Sequence, residues 1–391
     1  MPIKSIKKRI TTPSYIKTAS FYGFLSAADY VKDFEVTKSD LLKARALLTK
    51  NPESSLPEKI ALIRLWSEKK MASLPQPTML FYKSPIGGKE LHSHQHPTFN
   101  LDIIGNQRSI ADAILIETSY VIVQEEYPDY HISVELNTIG DKESLSKFQR
   151  ELNLFYKKNW SKVPKDLKPL YKKSIFESFK TKDVKAQELR SSGPDSIKCL
   201  TEQSRNHFKE VLEYIENLAL PYSINPLLLG DLAYGSDTVF EIIATHKKTE
   251  VRKIVAHGQR YNGVARKFAN KKEVSSIGVS ISMKKESFDC SAQGKSTVPK
   301  FFFIQLSFEA KLQSLQVLEL MRKAHMNVYQ SLTKDKMAVQ IGLAEKMNIP
   351  YIIIMGKKEA MEKSVLIRNM NTRCQDTVLL KDLVDYVKKL K

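Results

Sequence analysis

Cysteine is scarce: the 391 residues hold three, Cys199, Cys290 and Cys374. Odd in number and widely scattered, they give neither a disulfide framework nor a metal-ligand spacing, which fits a reducing cytoplasm. Long apolar runs are missing as well. No stretch approaches the roughly 20 apolar residues that a membrane helix needs, so no membrane span is expected. The N-terminus, MPIKSIKKRITTP, lacks the apolar centre of a secretory signal. Its basic character is compatible with a short organellar transit segment, but Ile6-Lys7-Lys8-Arg9 ahead of Thr12-Pro13 reads as a solvated arm. Acidic residues are the last shortage: 43 Asp and Glu stand against 62 Lys and Arg, a formal charge of +19. Each phosphate neutralised by a cation releases counterions, so an excess spread over the whole chain suits a polyanionic partner. A general solubility bias would produce the same excess without one.

What is present describes a globular protein with 42% apolar and 27% charged residues, long enough for two or three cored domains. Residues 1–20 read as a basic arm. Helical spacing follows from Gly23 to Lys50. Two strand-like runs, Thr78–Tyr82 and Phe99–Ile104, flank a loop with Gly87, Gly88 and three histidines. Ile110–Gln124 has the pattern of a long helix and His131–Thr138 that of a strand. Residues 142–200 are lysine-dense and helical, with Pro164, Pro169 and Pro194 as punctuation. A helix over Ser204–Asn217 precedes strands at Thr238–Ile243, Val251–Ala256 and Ile277–Met283. The polar stretch 286–298 separates a core over 21–285 from a terminal domain over 299–391. There, strands alternate with ten-to-fifteen-residue helices, the signature of a small open α/β sheet. This last domain is also basic, with 16 Lys and Arg against 9 Asp and Glu.

Five segments carry a further signal in their order. Glu135-Leu-Asn-Thr-Ile-Gly-Asp141 comes first, and Phe208–Asn225, ending Leu218-Ala-Leu-Pro-Tyr-Ser-Ile-Asn225, second. Thr238-Val-Phe-Glu241 and Gly258-Gln-Arg-Tyr-Asn-Gly-Val264 follow, then Ile352-Ile-Ile-Met-Gly356 with Val378–Leu390. Together they resemble, collinearly over residues 56–390, the LNSIGD, active-site lead, TVFE, GGRYDGL and C-terminal segments of class II histidyl-tRNA synthetases. The resemblance implies an antiparallel sheet with flanking helices followed by a small α/β anticodon-binding-type domain, usually in a homodimer. It also implies tRNA as partner, and ATP with Mg²⁺ as cofactors if the ligase chemistry is kept.

That chemistry joins the histidine carboxylate to the α-phosphate of ATP, and fixed guanidiniums compensate the growing charge. The resemblance allows each such position to be checked. Where the family has a Phe-Arg pair, this chain has Leu80-Phe-Tyr-Lys-Ser84, with Lys83 the nearest cation. Counting back from Thr238 puts Gly230 at the arginine of the family's RGLDYY segment, Ala233 at its aspartate and Tyr234 and Gly235 at its tyrosines. The Gly-Leu-Glu-Arg of motif 3 corresponds to Ser282-Met-Lys-Lys285. Lys83 and Lys285 keep charge without the planar fork of arginine, and Gly230 keeps neither. For the histidine pocket the resemblance implies Glu58 on the substrate amino group and Asp102 facing the imidazole. It also implies Tyr234, Arg260 and Tyr261 as pocket residues. Each also suits an ordinary structural role, at a helix start, in a strand or in a turn.

His92, His94 and His96 alternate and would share one side of an extended segment, a spacing open to Zn²⁺. A solvated histidine-rich loop explains them equally, and no metal is expected. The leading expectation is a cytoplasmic histidyl-tRNA synthetase-like protein that binds tRNA or a tRNA-like RNA through its basic C-terminal domain, with aminoacylation impaired or absent. An active, divergent histidine–tRNA ligase is the alternative. A nucleic-acid-binding accessory or regulatory subunit is the third.

Overall fold

The computed structural model describes residues 12–30, 35–47, 55–68, 77–84, 97–268, 274–284 and 299–390. Its larger sheet has eight strands: β1 (Leu25–Ser26), β2 (Thr78–Ser84), β3 (Thr98–Ile104), β4 (Tyr130–Thr138), β5 (Tyr222–Ile224), β6 (Ser236–His246), β7 (Arg252–Arg260) and β8 (Ser276–Ser282). They lie in the order β1-β2-β3-β8-β7-β6-β4-β5. The six inner strands pair antiparallel, and the two edge strands add in parallel.

Alternation along the inner strands sorts this sheet into two chemically different faces, because successive side chains point to opposite sides. On one face stand Phe99, Leu101 and Ile103 of β3, Ile277, Val279 and Ile281 of β8, Phe240 and Ile242 of β6, and Val134 and Leu136 of β4, all buried in one core cluster. Against them lies the helix Ser109–Glu126, with 15 of its 18 residues buried. A helix that is apolar nearly all round is enclosed on all sides, and here further layers cover its back. Residues Tyr15, Ile16 and Ala19 of the helix Ser14–Phe21 belong to the same core, as do Phe208, Val211 and Ile215 of the helix Glu202–Asn217. Fully burying each Leu, Ile or Phe contributes about 1.5–3 kcal/mol, so this layer holds the sheet rigid. The opposite face is polar and carries the candidate site.

The helix Ser14–Phe21 corrects the sequence reading of 1–20 as an arm. Tyr15, Ile16 and Ala19 are buried, and the basic part, residues 1–11, lies outside the described residues. The lysine-dense stretch 142–200 is helical as expected, built from Lys142–Lys158, Lys168–Lys173 and Val184–Ser191 with short 3-10 turns between them. It has its own core around Phe148, Leu152, Tyr156 and Tyr171.

The smaller sheet contains β9 (Phe301–Gln305), β10 (Val328–Gln330), β11 (Tyr351–Met355), β12 (Ser364–Asn369) and β13 (Gln375–Leu379), in the order β10-β9-β11-β12-β13. β9 is parallel to β10 and β11, while β12 and β13 return antiparallel. β13 escaped the sequence reading because only Val378 of its five residues is buried, so an edge strand shows no apolar alternation. The helix Phe308–Lys323 docks this sheet on the larger one. Phe308 packs edge-on to Tyr214 at 6.0 Å, and Gln316 Nε2 donates to the Asn217 carbonyl at 2.5 Å. Arg108 grips Asp335 with two bonds of 2.7 and 2.6 Å across the same boundary.

Candidate active site

The polar face is assembled by register. Asp102 of β3 pairs with Gly278 of β8 and Leu80 of β2, while Asn100 pairs with Ser280 and Tyr82. Beyond them stand Gln259 and His257 of β7, and then Glu241 of β6 and Glu135 of β4. The helix Leu56–Ser67 closes the β2–β3–β8 end. Pro57 opens it, and Ile60, Ile63 and Leu65 anchor it among Leu80, Tyr82, Tyr234, Tyr261 and Val264.

Four of the expected pocket residues come together here. The Asp102 carboxyl is wholly buried and lies over Gly278. A Cβ on Gly278 would stand 1.9 Å from Asp102 Oδ1, so only glycine leaves room for this carboxyl. Burial pushes Asp102 above its ordinary value, and the Lys59 ammonium and the Tyr261 and Tyr82 hydroxyls oppose the shift. Asp102 in turn helps burial drive both tyrosine hydroxyls well up. Glu58 is also raised, by burial first and with Asp102 adding to it. Its own backbone amide, Ser84 and Lys59 act the other way. Ser84 Oγ donates to Glu58 Oε1 at 2.9 Å, and Asn100 Nδ2 to Ser84 Oγ at 3.0 Å. Tyr234 and Tyr261 form part of the apolar wall.

Lys59, which the sequence reading did not single out, completes this end of the site. Only 6% exposed, its ammonium donates to Ser55 Oγ at 2.5 Å and lies 5.6 Å from the centre of the Tyr261 ring. Ser55 Oγ is 2.8 Å from Ser280 Oγ.

Next along the face, Gly230 occupies the position that counting assigned to an arginine. Its φ is +60°, and an added Cβ would meet Gln259 Oε1 at 2.3 Å and Val239 Cγ2 at 2.9 Å. Gln259 Oε1 also accepts from the Asp231 amide at 2.8 Å, which locks the glutamine into that space. The cations that act on the Asp231 carboxyl are lysines, Lys180 and Lys267, and Lys267 Nζ donates to the Ala233 carbonyl at 2.6 Å. Neither was visible as a neighbour of Gly230 in sequence.

Two expected site residues belong elsewhere. Arg260 pairs with Ile277 in the register and therefore points away from Asp102, into the layer under the sheet. There its Nε lies 2.9 and 3.1 Å from the two Asp112 carboxylate oxygens, and its Nη atoms donate to the carbonyls of Asn106 and Arg108 at 3.1 Å. It is a structural group, and its assignment to the substrate pocket is corrected. Lys83 pairs with Phe99, one residue out of phase with Tyr82 and Ser84, and so stands on the face opposite Asp102. The phase of the strand removes it from the reacting side. Lys285 and His92, His94 and His96 lie outside the described residues. Among the described residues, no group of three or more His, Cys, Asp or Glu side chains could hold a metal ion, and no helix is long and apolar enough to cross a membrane.

The anticodon binding domain family matches residues 300–390, the span of the smaller sheet and its helices. The histidine–tRNA ligase of Bacillus velezensis is 25% identical over 97% of this chain and 90% of its own length. That of Fervidobacterium nodosum is 26% identical over 93% and 86% respectively. The apo histidyl-tRNA synthetase of S. aureus has the same fold, with a TM-score of 0.51 at 21% identity over 95% of this chain and 93% of that one. Over nearly its whole length the chain is similar to class II histidyl-tRNA synthetases, and it shares their fold. The larger sheet and its helices have the fold of a class II synthetase core, and residues 300–390 match the anticodon binding domain. Gln259 and Gly278 were the site residues hardest to find in the sequence. Their one signal was the period-two phase that places them level with Asp102.

Proposed function

We propose that this synthetase-family chain binds tRNA or a tRNA-like RNA through its basic anticodon-binding domain, and that its aminoacylation is impaired or absent. One observation carries the second half: Gly230 offers no cation, and its φ of +60° with Gln259 Oε1 held beside it disfavours any side chain there. Removing one fixed donor from the charge-developing region of an active site typically lowers the rate 10²–10³-fold, about 3–4 kcal/mol. The lysines near Asp231 supply charge without the bidentate fork. ATP and Mg²⁺ suit this face poorly. Two of its carboxylates outside the pocket are already engaged, Glu135 by Arg252 and Glu241 by His257 at 2.9 Å.

The first half rests on the 16 Lys and Arg against 9 Asp and Glu over residues 299–391, together with the domain type. Filter binding of unfractionated tRNA over a range of salt tests it. The expected result is saturable binding that weakens steeply as salt rises, because phosphate contacts release counterions. Binding unaffected by salt, or equal binding to duplex DNA, argues against it.

A second reading, a slow but active histidine–tRNA ligase, is favoured by the near-full-length similarity to such ligases and by the grouping of Glu58, Asp102 and Tyr261. Charging of tRNA with labelled histidine decides between the two.

A further inference from the structure

The amino-acid pocket contains a charge of its own. Asp102 is fully buried, and neither carboxylate oxygen takes a hydrogen bond of ordinary geometry from the described residues. A buried carboxylate in that state calls for a cation. Lys59 extends toward it from the first turn of the helix Leu56–Ser67. Its Cε would lie 3.1 Å from a Cβ placed on Gly278, the same point from which Asp102 Oδ1 would be 1.9 Å. Both groups therefore crowd the small volume that Gly278 leaves open. The ammonium is held there by Ser55 Oγ at 2.5 Å, with the Tyr261 ring centre 5.6 Å away. Of the charges acting on Asp102, Lys59 is the one that draws its proton off. An ammonium that is desolvated, set over an aromatic ring and within electrostatic reach of a buried carboxylate, though not bonded to it, is placed as a cationic ligand would be.

We propose that Lys59 is a tethered occupant of the amino-acid pocket, its ammonium standing in for the cationic or hydrogen-bond-donating side chain of a free ligand, so that the pocket is closed to histidine while Lys59 is in place. The inference rests on reading this end of the site as the amino-acid pocket. It adds a cause of lost activity that is independent of Gly230: even with phosphate chemistry intact, the first substrate meets a filled site. A tether makes the effective concentration of the occupant very high, so millimolar free histidine competes poorly.

The test uses the full chain with neither ATP nor RNA, so its failure is separate from any failure of RNA binding or of charging. Calorimetric titration with L-histidine and thermal shift with n-butylammonium chloride are run on the wild type and on Lys59→Ala. The wild type is expected to bind neither saturably below millimolar concentration. Lys59→Ala, which vacates the volume and leaves Asp102 without its cation, is expected to bind at least one of them at least tenfold more tightly. Micromolar histidine binding by the wild type, or a Lys59→Ala variant as indifferent as the wild type to both probes, overturns the proposal.

Should the alanine variant fail to fold, a double-mutant cycle between Lys59→Met and Asp102→Asn, both close in size to the residues replaced, reads the same pairing. The two substitutions are expected to be coupled, the double variant melting higher than the sum of the single losses requires. Simple additivity overturns the proposal.

Discussion

Arg260 and Asp112 meet inside the layer between the larger sheet and the helix Ser109–Glu126, with both side chains at 1% exposure or less and Arg260 Nε 2.9 Å from Asp112 Oδ1. His207 Nε2 approaches the same carboxylate at 3.4 Å. The pair ties β7 to the start of that helix, on the side of the sheet away from the pocket. Removing one partner strands the other charge in a dry interior. Arg260→Ala is therefore expected to lower the free energy of unfolding by about 3–5 kcal/mol, while leaving histidine affinity in Lys59→Ala unchanged once the protein is folded. Urea denaturation measures the first and calorimetry the second. A loss of histidine affinity in folded protein would return Arg260 to the pocket.

The contact between Arg108 and Asp335 provides a contrast. Its bonds are as short, at 2.7 and 2.6 Å, but the two side chains are 39% and 50% exposed. Exposed pairs contribute about 0–1 kcal/mol and are screened by salt. Asp335→Asn is expected to move the urea midpoint little, and less still in 0.5 M salt. A loss as large as that for Arg260→Ala would mean that this one pair governs the docking of the anticodon-binding domain.

Gly230→Ala tests whether this position accepts a side chain. A left-handed backbone, with φ at +60°, costs a non-glycine residue about 1–2 kcal/mol. The contact with Gln259 Oε1 at 2.3 Å adds to that cost. Gln259→Ala is expected to reduce the penalty of Gly230→Ala but not to remove it, because the backbone strain remains. Thermal melts of the two single variants and the double variant check this. A neutral Gly230→Ala would show that the position accepts a side chain.

Much of this was legible in sequence. The alternation Phe99-Asn-Leu-Asp-Ile103 marks a strand with one apolar and one polar side, and the fold brings Asp102, Glu58 and Tyr261 near one another. The errors at Arg260 and Lys83 share a cause: a motif gives position along a strand, whereas the side faced depends on phase, and a shift of one residue reverses it. Lys59 went unseen because a lysine beside Glu58 at a helix start reads as a solvated charge until the tertiary structure puts Asp102 and Tyr261 in front of it. Gln259 lies 28 residues from Asp231, and nothing local links the two.

The titrating groups pull stability in opposite directions with pH. Asp102 and Glu58 are held above the ordinary carboxylate range, chiefly by burial. The native state therefore keeps their protons where the unfolded chain has released them. Their contribution is fully present below about pH 4, the ordinary carboxylate value, and is lost as pH rises through the raised values. Burial also pushes Asp112 up, but Arg260 and His207 outweigh it and hold the group low. Its contribution is present above the ordinary value and is lost as pH falls through the lowered one. Relative to the wild type, Asp102→Asn is expected to gain stability as pH rises from 4 to 7. Asp112→Asn is expected to be much less stable at pH 7 and to converge on the wild type in strong acid. Denaturation midpoints against pH read both, and parallel curves would contradict the burial assigned to these carboxyls.

The most direct measurement is histidine-dependent exchange of labelled pyrophosphate into ATP by the purified chain, which isolates adenylate formation from every later step. Exchange no faster with histidine than without it is the expected result, given Gly230 walled in by Gln259 and Lys59 set before Asp102. Exchange that rises with histidine and saturates, at a turnover near one per second or faster, would contradict the loss of catalysis and make this chain a working ligase.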